Sequence, residues 1–121
     1  MPRIVSEQEF QSRLRGLIDA ADVSEVGCVT GPGRSGAVAA VYASHMLCVP
    51  FIPFGSRAPD HLGRILIVDT ARKSGHTLRK AERRYDSVRP IIIAAYEEPP
   101  RVMFWYEAVK PQRFRHEREA A

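Results

Sequence analysis

Three runs of this chain are apolar without a break: Val26-Gly27-Cys28-Val29, Ile65-Leu66-Ile67-Val68 and Ile91 to Ala95. A strand with one wet face alternates apolar and polar residues, whereas a strand covered on both faces does not. Stretches of helical spacing separate these runs. Phe10, Leu14, Leu17, Ile18 and Ala21 fall on one face of a helix from Glu7 to Ala21, with Ser6 and Glu9 in a capping-box pattern at its start. Small residues between Ser35 and Leu47, Ala37, Ala40 and Ala43 among them, predict a helix packed closely on a sheet. Leu78, Ala81 and Tyr85 carry another from Thr77 to Tyr85. Buried strands alternating with helices predict an α/β domain, a Rossmann-like open parallel sheet with helices on both faces.

The 121 residues fit one compact domain, 1–121, with its core at about 22–107 and a charged tail at about 110–121. Pro50 to Phe54 reads as a further strand, with Pro50 at the first position where the missing donor matters least. Val102 to Tyr106 reads as a last, aromatic-rich strand. Its rings and Tyr96 supply either a stacking face for a base or plain sheet core.

Charge and cysteine usage narrow the function classes. Lys and Arg number 18 against 14 Asp and Glu, and fifteen of the cations are Arg, the side chain suited to bidentate recognition of phosphate and carboxylate. An anionic small-molecule partner and a merely solvated Arg-rich surface both fit this balance. No basic stripe interleaved with aromatics emerges, which places nucleic acid behind a small molecule as partner. Cys28 and Cys48 lie in apolar segments and are expected to be buried free thiols. His45, His61 and His116 have no metal-ligand spacing. The start of the chain has no apolar targeting stretch, and no run is long enough to cross a bilayer, so a cytoplasmic protein without membrane contact is expected.

Right-handed crossovers put every strand-to-helix loop at the carboxyl edge of a parallel sheet. Two such loops, Thr30–Arg34 and Asp69–His76, can therefore face one ligand. In the second, an acid closes an apolar strand and Ser74-Gly75-His76-Thr77 opens a helix, offering backbone N–H groups and hydroxyls to an anion. Asp69 is placed to hydrogen-bond sugar hydroxyls, or to join a Mg²⁺ shell through water. The spacing is neither that of a Walker A loop nor that of a dinucleotide fingerprint.

The segment ILIVDTARKSGHTL resembles the phosphoribosyl-pyrophosphate (PRPP) motif of the type I phosphoribosyltransferases. VTGPGRSGAVAAVYASHMLCVPFIPF is similar to that family's pyrophosphate loop, its helix and the next strand, in the same order along the chain. The resemblance covers roughly Val26 to Tyr96. It implies that Ser74, Gly75, His76 and Thr77 hold a 5′-phosphate, and that Thr70, Ala71 and Arg72 complete that loop. Asp69 would orient the ribose hydroxyls. Gly31, Pro32, Gly33, Ser35 and Gly36 would line the pyrophosphate side, with Arg34 on the departing diphosphate. Lys73 stands where purine enzymes of the family place an acid near the base. Mg²⁺ as cofactor and a homodimer are further implications.

The sequence also departs from that pattern. Thr70 occupies the position of the second acid, Arg72 and Lys73 make the loop basic, and the nine-residue connection Gly55–Gly63 is shorter than the family's mobile catalytic loop. Three readings therefore stay open: transfer of phosphoribosyl between diphosphate and a nitrogen base, a nucleotide- or phosphate-binding module without catalysis, and a nucleic-acid-associated regulator.

Overall fold

The strand from Arg64 to Arg72 (β3) lies between Val26–Thr30 (β2) and Ile91–Glu97 (β4), parallel to both. These and the other elements come from a computed structural model that describes residues 3–72, 75–97 and 102–107. Alternate residues of β3 feed two cores. Leu66 and Val68 pack with Val29, Ile93 and Ala95 beneath the helices Glu7–Ala20 (α1) and Gly33–Leu47 (α2). Ile65 and Ile67 pack with Cys28 and Ile52 beneath the helix His76–Arg84 (α3). Ile65, Leu66, Ile67 and Val68 are all fully buried, which accounts for the unbroken apolar run. α2 approaches closely because Ala39, Ala40 and Ala43 form its buried face.

A second, two-stranded parallel sheet joins Arg3–Val5 (β1) to Val102–Phe104 (β5). Sequence reading did not find β1, whose three residues are too few for any periodicity. The core also begins before residue 22, since Val5, Phe10, Leu14 and Ile18 are buried in it. The tail at 110–121 lies outside the described residues.

Four expected boundaries change. The segment at Pro50–Phe54 is a single parallel bridge, Val29 to Phe51, rather than a strand. Val29 donates to Pro50 and Ile52 donates to Val29, but Pro53 has no N–H with which to continue the ladder. β3 does not end at Asp69; it runs on through Thr70, Ala71 and Arg72, because Ala71 and Arg72 still pair with Tyr96 and Glu97. His76 opens α3 instead of closing the loop. Cys48 is exposed, ending α2 in the left-handed conformation at φ 57°, and only Cys28 is buried.

α1 covers the outer edge of β4. Ser6 caps the helix by accepting from the Glu9 N–H at 3.1 Å, the first half of a capping box. The Glu9 carboxylate is engaged elsewhere, accepting from Arg3 at 2.8 Å and from the Tyr96 hydroxyl at 2.9 Å. Arg13 donates to the Ala95 carbonyl and lies 4.7 Å from the centre of the Tyr96 ring. Two side chains of one helix thus engage an edge that would otherwise be open to another strand.

The hydrogen bond from Arg3, then that from Tyr96, holds the Glu9 carboxyl below its ordinary range. A depressed folded value contributes stability above the unfolded pKa of about 4.3 and loses it as the pH falls through the folded value. Glu9→Gln is therefore expected to lower the Tm at pH 7 and to shrink the fall in Tm on acidification. Thermal melts across the acid range check this, and an identical loss at every pH contradicts it.

Candidate functional site

The carboxyl edge of the sheet opens into a cleft of about 430 Å³. One wall is the turn after β2 with the start of α2: Pro32, Gly33, Arg34 and Ser35. The opposite wall is the end of β3 with the start of α3: Asp69, Thr70, Ala71, Arg72, Gly75, Thr77 and Leu78. Val102, Phe104 and Glu107 close the remaining side.

Both walls present a helix N-terminus. The first N–H groups of a helix have no intrahelical acceptor, and the aligned peptide dipoles make that end electropositive. In α2 the ladder begins only where the Gly36 N–H reaches the Pro32 carbonyl at 3.1 Å, and in α3 where the Arg79 N–H reaches Gly75 at 3.0 Å. Two such ends beside Arg34 and Arg72 form a cleft suited to a ligand with more than one anionic group.

Glycine sets the geometry of each turn for a different reason. A Cβ on Gly31 would lie 2.0 Å from the Gly36 carbonyl oxygen and 2.6 Å from that of Val68. The turn therefore folds on itself and against β3 only because Gly31 has no side chain. Gly75 sits at φ +80° as the residue that begins α3, a conformation that side-chain-bearing residues rarely adopt.

Asp69 is half-buried on the floor between the walls. Its carboxylate accepts from the Thr70 backbone N–H at 2.7 Å, and the Thr70 hydroxyl also reaches it. Burial nevertheless outweighs these bonds and raises the Asp69 carboxyl above its ordinary value. Thr70 is 3% exposed. Its hydroxyl also bonds the phenol of Tyr106, whose oxygen is 3.1 Å from Ser35 Oγ. Arg72 makes a 3.5 Å ion pair with the exposed Glu97, while its buried Nε has no partner.

The structure thus brings Pro32, Gly33, Arg34, Ser35, Asp69, Thr70, Ala71, Arg72, Gly75 and Thr77 to one cleft. Gly31 and Gly36 do not line it; both are buried against each other. His76 is exposed and does not line it either. Lys73 and Ser74 lie outside the described residues. Sequence reading missed Leu78, Val102 and Glu107. Glu107 accepts from the Phe104 N–H at 3.0 Å, a local turn contact with no sequence signature. Of the aromatic residues, Tyr96 and Phe104 are core, with Phe104 also reaching the cleft wall.

Among the described residues no three His, Cys, Asp or Glu side chains gather to hold a metal. The carboxylates of the cleft are Asp69 and Glu107. Mg²⁺ keeps several waters and is bound through one or two carboxylates plus substrate phosphates. This donor set fits an ion carried in by a diphosphate rather than one caged by protein.

No family model matches the chain, and no curated protein matches it. Solved structures do. The chain is similar to the xanthine-guanine-hypoxanthine phosphoribosyltransferase of Helicobacter pylori, with a TM-score of 0.71 at 16% identity, over 96% of this chain and 99% of that one. It is also similar to a purine phosphoribosyltransferase from Pyrococcus horikoshii Ot3, with a TM-score of 0.67 at 17% identity, covering 86% and 93%. A Neisseria gonorrhoeae protein with bound ppGpp gives a TM-score of 0.66 at 12% identity, covering 99% and 98%. The chain has the type I phosphoribosyltransferase fold. Among the described residues no helix is long and apolar enough to cross a membrane.

Because the folded Asp69 carboxyl is raised, ionising it costs the fold, and stability declines as the pH rises through the folded value. Asp69→Asn is expected to be more stable than the wild type at pH 7, a gain that disappears below the unfolded pKa of about 3.9. Urea titrations at the two pH values measure this. A variant less stable at pH 7 contradicts the sign.

Proposed function

We propose that the cleft binds PRPP or a nucleoside monophosphate, and that its chemistry is transfer of phosphoribosyl between diphosphate and a nitrogen base. The observation that carries this reading is the convergence of two helix N-termini on either side of one carboxylate, in this fold. The α3 wall takes the 5′-phosphate: Gly75 and the first-turn N–H groups at Thr77 and Leu78 bind its oxygens, with the Thr77 hydroxyl beside them. Ser74 and the His76 backbone belong to the same loop in this reading, and Lys73 lies toward the base.

Asp69 accepts from the ribose hydroxyls and orients the sugar. Arg34 and Ser35, at the start of α2, take the diphosphate. When bound, Mg²⁺ would neutralise charge on the departing group. The reaction passes through an oxocarbenium-like state, so the chain's own contribution is to position the reacting carbon and stabilise the leaving oxygens.

A second reading keeps the ligand and drops the reaction. It is favoured by Thr70, which stands in place of an acid and is almost wholly buried with its hydroxyl engaged. The connection Gly55–Gly63 does not reach the cleft to cover it. The ppGpp bound to the Neisseria gonorrhoeae protein makes that nucleotide a fitting test ligand here.

Calorimetric titration with PRPP, AMP, orotidine monophosphate and ppGpp, each with and without Mg²⁺, separates the readings. Phosphoribosyl transfer predicts Mg²⁺-dependent PRPP binding. Asp69→Asn should weaken it by about 2 kcal/mol, roughly thirtyfold, as expected for the loss of a charged hydrogen-bond acceptor. Gly75→Val should abolish it. Nucleotide binding without preference for PRPP or Mg²⁺ selects the second reading, and absence of binding by any of the four overturns both.

A further inference from the structure

The hydroxyl of Tyr106 stands between the two walls of the cleft. It is 3.1 Å from Ser35 Oγ on the α2 side and bonds the Thr70 hydroxyl on the β3 side. The Thr70 hydroxyl in turn reaches the Asp69 carboxylate. Four oxygens from three distant parts of the chain therefore form one row: Ser35, Tyr106, Thr70, Asp69.

The row is held in place by packing. The Tyr106 ring stacks on Phe104, 5.7 Å away and 11° from parallel, and meets Trp105 edge-on at 5.0 Å. The Trp105 N–H donates to the Val5 carbonyl at 2.9 Å, tying this turn to β1. Burial raises the Tyr106 phenol, so it keeps its proton at neutral pH.

Each of the three hydroxyls has one proton, and the carboxylate has none. This leaves two ways to order the row. If the protons point toward Asp69, then Ser35 donates to Tyr106, Tyr106 to Thr70 and Thr70 to the carboxylate, and Ser35 offers only lone pairs to the cleft. If they point the other way, Thr70 donates to Tyr106, Tyr106 to Ser35, and the Ser35 proton is directed into the cleft. Asp69 then keeps only its backbone bond and has a lone pair released for a ligand hydroxyl.

We propose that Tyr106 is a positioning residue that couples the two halves of the site. An anion accepting from Ser35 selects the outward order, and that order releases Asp69 to receive a sugar hydroxyl. Thr70 then serves as a relay at the position where the resembling family has an acid. Coupling of this kind is reciprocal: the sugar strengthens the anion by the same factor. The inference rests on the assignment of diphosphate to the Ser35 side and ribose to Asp69.

The test uses the full chain with inorganic pyrophosphate and ribose 5-phosphate. The dissociation constant of ribose 5-phosphate is measured by calorimetry with and without saturating pyrophosphate. Tyr106→Phe preserves the ring and removes the link. The ratio of the two constants is expected to become about three- to tenfold less favourable than in wild type, the scale of one hydrogen bond. Thr70→Val should reproduce that shift and Thr70→Ser should not. Trp105 is the only tryptophan of the chain, so near-ultraviolet circular dichroism shows whether the turn is intact in each variant. If Tyr106→Phe perturbs it, the Thr70 pair carries the test.

Equal ratios in wild type, Tyr106→Phe and Thr70→Val overturn the relay alone. Direct competition between the probes overturns it as well, since both then occupy one subsite. Failure of either probe to bind wild-type protein overturns the relay and the site assignment together, and that failure is visible without any variant.

Discussion

Parallel pairing of β3 with β2 on one side and β4 on the other is the constraint from which the rest follows. A parallel strand must be reached by a crossover, and crossovers of one hand bring every connection back over a face of the sheet. β3 therefore has helices above and below it, α1 and α2 over Leu66 and Val68, α3 over Ile65 and Ile67. The helices that follow β2 and β3 both start at the same edge. Their N-termini face each other across the cleft because no other end of these helices can lie there.

The cost of that arrangement is concentrated in the turns. Gly31 must pass within contact of the Gly36 and Val68 carbonyls, and Gly75 must take a positive φ. Asp69 must sit half-buried with its carboxyl raised by desolvation. A group that destabilises the fold in its charged form, held where two electropositive helix ends converge, has the character of a binding site rather than of a structural ion pair. The contrast with Glu9 is direct: that carboxylate is exposed to solvent, depressed by Arg3 and Tyr96, and stabilises the fold.

Much of this was legible in the sequence because it is local. The Ser6–Glu9 pattern and the spacing of Phe10, Leu14 and Ile18 located α1 to within a residue, and the unbroken apolar runs identified a sheet covered on both faces. The loops Thr30–Arg34 and Asp69–His76 were recognisable from glycine and hydroxyl residues beside a strand end. What escaped was set by pairing. Thr70, Ala71 and Arg72 do not read as a strand, and extend β3 only because β4 supplies partners as far as Glu97. Pro50 to Phe54 reads as a strand but contains a proline where the next donor is needed. The aromatic segment near residue 105 could be core or site from its composition. Only the tertiary position of β5 beside β1 shows that Phe104 serves the core while Tyr106 joins Ser35 to Thr70.

The central claim is that both helix N-termini engage one ligand. Backbone amide shifts recorded during a titration with PRPP in the presence of Mg²⁺ test it most directly. The account predicts that the amides of Arg34, Ser35 and Gly36 move together with those of Thr77 and Leu78, all following a single dissociation constant. Shifts confined to one of the two turns, or centred on the groove between α1 and α2, would contradict it.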